Sequence, residues 1–197
     1  YGEGTAINSN TDRFNESATY DKNGNIVTLQ RRGQTSTSAY AQLDNLTYTY
    51  NGNQVTKIED AVSTAAHSGN TAFNNGTSTT NEYTYDYNGN LTKDFNKGIA
   101  NISWNSLNLP NVVSFSDGST VTYTYAADGT KLRTVHNING TTTQTDYCGS
   151  AIYENGTAKL WQTEAGYISM TDSKYHYYLQ DHQDQNKRLR LDMFQCP

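Results

Sequence analysis

Histidine and acidic side chains are the first residues to consider for catalysis or metal binding. His176 and His182 form the one close histidine pair of the sequence, and Asp181 and Asp184 flank His182. Imidazole and carboxylate groups are zinc ligands, but this spacing matches no zinc signature. The preferred interpretation is a pair of partly exposed polar residues. We therefore predict no metal and no cofactor at this position.

Other candidate chemistry is equally weak. The segment Asp21–Asn25 superficially resembles a calcium loop, yet the ligand positions of an EF-hand are not filled around Gly24, and a β-turn explains the residues. Cys148 has no neighbouring histidine or recognised signature, and no Gly-x-Ser-x-Gly elbow occurs. Glu59 and Asp60 are adjacent, so on a strand they point to opposite faces. The prediction is that the chain is not an enzyme; a cryptic hydrolase remains a third hypothesis.

Two tryptophans could stack on sugars. Trp104 lies in an alternating segment, Ile102-Ser103-Trp104-Asn105, so packing between strands is the favoured role for its ring. Trp161 is the other candidate. A carbohydrate-binding or cell-wall adhesion module with aromatic stacking platforms is therefore the alternative function.

The composition narrows the protein class. The 197 residues have a net charge of −5, with 17% charged and 12% aromatic residues, 16 of them tyrosine. Such an aromatic content favours ordered β structure over disorder. Nucleic-acid binding is not expected, because the only cationic cluster of the sequence is the short Lys187–Arg190 stretch. No apolar run is long enough for a membrane span or a signal-peptide core. Whether Cys148 and Cys196 form a disulfide is left open by the sequence.

A tandem motif organises the chain. In three copies a tyrosine stands four residues before a glycine, and in shorter copies the interval is smaller, as at Tyr153 and Gly156. Repetition on this scale indicates a repeat architecture. The residues of the repeat signature are Tyr20, Asp21, Gly24 and Asn25; Tyr50, Gly52 and Asn53; Tyr85, Asp86, Gly89 and Asn90; and Tyr125 and Gly129.

Each copy predicts a β-hairpin. Asn-Gly and Asp-Gly suit type I′ turns, whose two central residues both need positive φ. Alternating Thr-Tyr segments precede the turns, so their tyrosines should share one face of a strand. A further hairpin is expected at Asp117-Gly118, and loops over 61–80, with a short helical turn possible over Asp60–His67. The predicted tyrosine stripes are Tyr48/Tyr50, Tyr83/Tyr85/Tyr87 and Tyr123/Tyr125.

A lone hairpin is marginal in water, so each unit must bury its tyrosine face against neighbouring copies. The sequence therefore predicts an all-β fold in which antiparallel hairpin repeats form a continuous curved sheet. We expect three parts: a lead-in segment over 1–17, the repeat region over 18–182, and an atypical, truncated or disordered tail over 183–197.

Residues 20–26 and 85–91 resemble the YD repeat of the RHS (rearrangement hotspot) family, whose signature is Tyr-Asp-x-x-Gly-Asn followed by an aliphatic residue. The copy at Tyr125 departs from it, with Ala126 for aspartate and Thr130 for asparagine. The segment 175–182 is similar to the Tyr-x-Tyr-x-x-Asp-His segment near the RHS-associated core.

The resemblance implies a bacterial, secreted or cell-surface protein whose repeats build a β-cage shell around a C-terminal toxin or effector, as in polymorphic toxins. The chain would then be a non-catalytic structural segment. Its partners would be the remaining repeats of its own parent chain, the C-terminal effector cargo and, in the alternative function, a cell-wall glycan. The export signal would lie outside this sequence.

Overall fold

The protein was described from a computed structural model, which covers residues 12–63, 67, 72–77, 79–180 and 186–187. The described residues form antiparallel β-strands joined mostly by short turns, which confirms the predicted all-β fold of hairpins. The chain divides into two compact units, Tyr1–Ile102 and Ser103–Pro197.

The first unit contains a four-stranded antiparallel sheet in the order β1-β2-β3-β4, followed by the β5–β6 hairpin and β7. A short 3-10 helix, Phe95–Lys97, joins β6 to β7. The strands are β1 (Glu16–Tyr20), β2 (Ile26–Gln34), β3 (Tyr40–Asn51), β4 (Gln54–Asp60), β5 (Tyr83–Tyr85), β6 (Leu91–Asp94) and β7 (Ile99–Trp104), the last of which crosses the division between the units.

In the second unit every strand from β8 to β14 pairs antiparallel with the next strand in the chain. The strands are β8 (Pro110–Phe115), β9 (Thr120–Tyr125), β10 (Lys131–Ile138), β11 (Thr141–Cys148), β12 (Ala151–Glu154), β13 (Thr157–Thr163), β14 (Gly166–Ser169) and β15 (Tyr175–Tyr177), with the small pair β16 (Leu179–Gln180) and β17 (Asn186–Lys187) after them.

Buried side chains concentrate in the first unit. Leu43 and Leu46 on β3 are almost fully buried, and Tyr83 and Ile102 are buried as well. Polar groups share this interior, which makes their hydrogen bonds important. The buried polar or charged residues there are Asp44, Glu82, Asp94 and Asn96.

The helical turn predicted over Asp60–His67 is wrong where the structure describes it. Asp60 ends strand β4, and 61–63 are not helical. The Asp60 carboxylate accepts the backbone N–H groups of Asn45 and Val62, both at 2.9 Å, and so fixes a turn at the strand end. The predicted tail over 183–197 lies outside the described residues except for 186–187.

Candidate functional site: stacked turns and tyrosines

The full motif copies fold into five-residue turns. In the first, the Asp21 N–H donates to the Asn25 carbonyl at 2.9 Å, and the Gly24 N–H donates to the Asp21 carbonyl at 3.2 Å. Gly24 has φ +85°, whereas Asn23 does not have positive φ. The strand register shifts between Thr19 and Tyr20. This is a type I turn followed by a left-handed glycine that forms a β-bulge.

The signature aspartate and asparagine hold this turn together. Asp21 Oδ1 accepts the backbone N–H groups of Asn23 and Asn25, at 2.8 and 2.9 Å, and Asp21 Oδ2 accepts the Asn25 amide at 2.9 Å. Asp86 makes the same three bonds with Asn88 and Asn90, at 2.8 to 3.0 Å. The motif carboxylates therefore serve their own turn.

Both carboxyl groups respond to these bonds. The Asn25 side-chain amide, followed by the backbone N–H groups, lowers the pKa of Asp21 below 3.8. At Asp86 partial burial would raise the pKa, but the hydrogen bonds from Asn90 and Asn88 outweigh it and lower the pKa. Each carboxylate is thus favoured in its ionised form.

The predicted type I′ geometry is wrong at the full motif copies, because the aspartate side chain stabilises the type I turn instead. It is confirmed at Asn155-Gly156, where both residues have positive φ between the paired Glu154 and Thr157. At the shortened copy Gly52 alone has positive φ, and the two central residues are Gly52 and Asn53 rather than Asn51 and Gly52. That pattern is typical of a type II′ turn.

Sequence reasoning missed one copy of this turn. Over 105–109, Asn105 replaces the aspartate and its Oδ1 accepts the N–H groups of Leu107 and Leu109, at 2.9 and 3.0 Å. Asn108 occupies the glycine position with φ +55°. Asparagine tolerates the left-handed region better than other residues with a β-carbon, so the turn survives without glycine.

Two further turns of this form lack an acidic first residue. In 115–119 and 126–130 the first positions are Phe115 and Ala126, and both turns keep the paired backbone bonds. The third residue compensates: Asp117 accepts the Ser119 N–H and Asp128 accepts the Thr130 N–H, both at 2.8 Å. The carboxylate changes position while its backbone target, the fifth residue, stays the same.

In the first unit two motif tyrosines bind the preceding hairpin, and these two contacts are called the tyrosine ladder. The Tyr50 hydroxyl donates to the Ile26 carbonyl at 2.8 Å, and the Tyr85 hydroxyl donates to the Val55 carbonyl at 2.9 Å. Ile26 directly follows the 21–25 turn, and Val55 directly follows Gln54, the residue that pairs with Asn51 across the second turn. Burial raises the pKa of Tyr50 and of Tyr85, so both hydroxyls remain protonated donors at neutral pH. Main-chain carbonyls are the targets, so the contact does not depend on the acceptor's side chain.

The predicted tyrosine stripes are mostly confirmed. Tyr48 and Tyr50 stack at 6.4 Å between ring centroids, and Tyr123 and Tyr125 stack at 6.3 Å. Tyr87 is the exception and does not extend the stripe. It follows the end of β5, occupies the second position of the 86–90 turn and is fully exposed.

Neighbouring turns also meet in the first unit. The Asn25 amide donates to Asn53 Oδ1 at 3.1 Å, which joins the asparagines that follow Gly24 and Gly52. A side chain added at Gly89 would lie 3.7 Å from the Gln54 amide. Three successive turns of the first unit therefore lie side by side, whereas the signature residues Tyr125 and Gly129 belong to the second unit.

Glu82, which sequence reasoning also missed, fixes the β5–β6 hairpin beside β4. Its side chain is fully buried, and its Oε2 accepts the Ile58 N–H at 3.0 Å and the Asn96 amide at 2.8 Å. Its own N–H donates to the Thr56 carbonyl at 2.8 Å. Glu82 Oε1 accepts no hydrogen bond from any described residue.

The residues considered for metal or acid–base chemistry do not converge where they are described. His176 stacks on the Tyr167 ring at 4.5 Å, while His182 and its flanking aspartates lie outside the described residues. Within the described part of the chain, no group of three or more His, Cys, Asp or Glu side chains could hold a metal ion. Glu59 is exposed and pairs with Lys57 at 2.6 Å.

Cys148 is exposed on β11, and Trp104 is half-buried on β7. Trp161 is 51% exposed, and the strand register places it directly opposite Ile168, which in turn faces Tyr175, 62% exposed. These three apolar side chains form a row across β13, β14 and β15. Among the described residues, no helix has the length and apolarity required to cross a bilayer.

Comparison with solved structures found chains similar to this one. No protein-family model matches the chain, and no curated protein matches it. The crystal structure of TcdB2-TccC3-Cdc42 aligns with 87% of this chain at a TM-score of 0.44 and 16% sequence identity. The chain spans about 11% of the length of that solved chain.

Proposed function

We propose that the chain is a non-catalytic structural segment of a secreted or surface shell protein of the RHS/YD-repeat type, which encloses a C-terminal toxin or effector. The supporting observation is the set of hydrogen-bond partners of the signature residues. Asp21 and Asp86 close their own turns, and Tyr50 and Tyr85 bind the main chain of the preceding hairpin. These polar groups of the motif hold the repeat hairpins together.

Enclosure is tested on the complete reading frame that contains this segment. Expressed whole and imaged by electron microscopy, it should show further hairpin repeats forming a closed shell, with a distinct C-terminal region that resists added protease until the shell is opened. Flanking sequence without repeats, or a C-terminal region cleaved as fast in the intact protein as in the opened one, would contradict the proposal. Catalytic turnover abolished by one Asp, Glu or His substitution would contradict the non-catalytic role.

Glycan binding is the second candidate, and the row of Trp161, Ile168 and Tyr175, whose two aromatic side chains are exposed, favours it. Flat aromatic rings that remain accessible on one sheet face can stack on the apolar faces of sugars. Saturable binding on a glycan array, lost in Trp161→Ala and kept in Tyr87→Ala, is the expected result. Tyr87 is a suitable control because it is an exposed aromatic side chain in a turn. Equal binding by both variants would remove this candidate.

A further inference from the structure

The outer face of the first hairpin has the same contact groups that join hairpins inside the first unit. Tyr20, Tyr50 and Tyr85 occupy the same motif position, immediately before the first residue of their turns. Tyr50 and Tyr85 are half-buried, and each hydroxyl binds a carbonyl of the preceding hairpin. Tyr20 is 62% exposed, and its hydroxyl has no partner among the described residues.

The turn beside Tyr20 repeats this asymmetry. Asn25 donates its amide to Asn53 Oδ1 in the following turn. Asn53 thus uses its oxygen toward the turn before it. The three bonds of Asn25 to Asp21 and Asn53 all use its N–H groups. The equivalent oxygen, Asn25 Oδ1, accepts no hydrogen bond from a described residue. The first turn therefore carries an unused acceptor where the second turn carries a used one.

The strand that carries these groups is also exposed. β1 pairs with β2, and it has no second strand partner among the described residues. Most of its side chains, including that of Glu16, are exposed. An edge strand with unpaired backbone groups is a template for a further strand.

We propose that this face of β1, defined by Tyr20, Asn25 and the strand edge, is a docking surface for one more hairpin of the same repeat type. The incoming hairpin supplies the carbonyl after its turn to the Tyr20 hydroxyl. Its asparagine after the turn glycine donates to Asn25 Oδ1. The occupant is thus a second strand pair with the chemistry of β1–β2. The surface continues contacts already present within the chain, where the tyrosine contact occurs twice and the asparagine contact once.

This inference rests on the proposed structural function and adds the contacts by which the wall grows. A generic apolar partner is less favoured, because the groups on offer are a hydroxyl donor, an amide oxygen and backbone edge groups. Hairpins that present a main-chain carbonyl and an amide N–H at matched positions satisfy all of them at once. Polar groups desolvated in such a contact need these partners.

The test inserts a copy of 16–39, the β1–β2 hairpin and its following loop, between residues 11 and 12 of the full chain. In the extended chain, Tyr20→Phe at the original tyrosine should then raise the equilibrium constant of unfolding about fivefold, which is the equivalent of one net hydrogen bond. In the natural chain the same substitution should leave the constant unchanged. Tyr87→Phe, which removes an exposed hydroxyl, is the matched control and should be silent in both. Hydrogen exchange should show protection of β1 and the insert.

Equal effects of Tyr20→Phe in the two chains would overturn the proposal, as would an insert without exchange protection. The natural chain separates this failure from failure of the structural function. If Tyr50→Phe destabilises the natural chain while the insert fails to dock, the tyrosine ladder is retained and only the docking surface is wrong. If Tyr50→Phe is also silent, the tyrosine ladder itself is wrong.

Discussion

An arginine–aspartate pair joins facing residues of neighbouring strands in each unit. Arg31 and Asp44 link β2 to β3 with a 2.6 Å contact, and Arg133 and Asp146 link β10 to β11 with a 2.5 Å contact. The Asp44 side chain is 1% exposed and that of Asp146 is 17% exposed. The same cross-strand pair is therefore part of an interior in one unit and of an open sheet in the other.

The two aspartates also differ in their further partners. Asp44 accepts the backbone N–H of Phe73 at 2.6 Å, so it anchors a loop segment 29 residues away in the chain. Asp146 accepts the Gln144 amide at 2.7 Å from its own strand. Gln144, followed by Arg133, lowers the pKa of Asp146. Consecutive strands pair in both units, and in the first unit Asp44 adds a long-range contact to this pairing.

The largest expected effect is at Asp44. Asp44→Ala removes the carboxylate that contacts Arg31 and leaves the Phe73 N–H without its acceptor, which should lower the free energy of unfolding of the first unit by about 3 kcal/mol. Asp146→Ala is the matched change in the open sheet and should have a much smaller effect, because water can replace the lost partner. Urea unfolding of both variants measures the difference. Equal losses would show that burial does not separate the two units.

Glu82 sharpens the comparison within the first unit. Glu82→Ala strips the acceptor from the Ile58 N–H and the Asn96 amide and opens a cavity, at a cost of about 3 kcal/mol in the free energy of unfolding. Glu82→Gln keeps an acceptor oxygen and nearly the same volume, so it should restore most of the lost stability. Thermal and urea unfolding test both. A glutamine variant as unstable as the alanine variant would mean that a carboxyl group is required at this position.

Removing either hydroxyl of the tyrosine ladder should have a smaller effect on the free energy of unfolding. Tyr50→Phe and Tyr85→Phe each remove one hydrogen bond to a main-chain carbonyl and should cost about 1 kcal/mol in unfolding free energy. Tyr20→Phe in the natural chain serves as the control, because its exposed hydroxyl has no partner among the described residues, and should change nothing measurable. Indistinguishable values for Tyr20→Phe and Tyr50→Phe would contradict the ladder.

The smallest effects concern the turns. Gly24→Ala forces a β-carbon into the left-handed region at φ +85° and should cost about 1 kcal/mol. Asn108→Gly, at the same turn position in the second unit, should be neutral or stabilise by a few tenths of a kcal/mol, because glycine adopts positive φ freely. The urea midpoints of the two variants, compared at the same dependence of the unfolding free energy on urea, measure these changes. A destabilising Asn108→Gly would mean that the Asn108 side chain has a role beyond the turn.

Local sequence patterns predicted most of the strands and turns of this fold, but few of the contacts between its buried side chains. The alternation at Tyr48 and Tyr50 identified strand and shared face, because side chains on a strand alternate with a period of two. The glycine at 24 located the turn. Type I geometry was missed because it depends on how the Asp21 carboxylate binds backbone N–H groups, which the dipeptide Asn-Gly does not reveal.

The long-range contacts had no local signal. Glu82 stands beside an ordinary Thr-Tyr-Thr-Tyr-like segment, and its partner Ile58 is 24 residues earlier in the chain. The 105–109 turn has no glycine, so a search by glycine spacing passes over it. A search for Asn or Asp at the first position, together with Gly or Asn at the fourth, would have found this turn.

Solution NMR tests the central claim, that motif tyrosines lie against the hairpin before them, most directly. Nuclear Overhauser contacts should connect the Tyr50 ring to Ile26 and the Tyr85 ring to Val55, with slow amide exchange along β2 to β4. Absence of both contacts in a folded chain, with those rings freely rotating in solvent, would contradict the account.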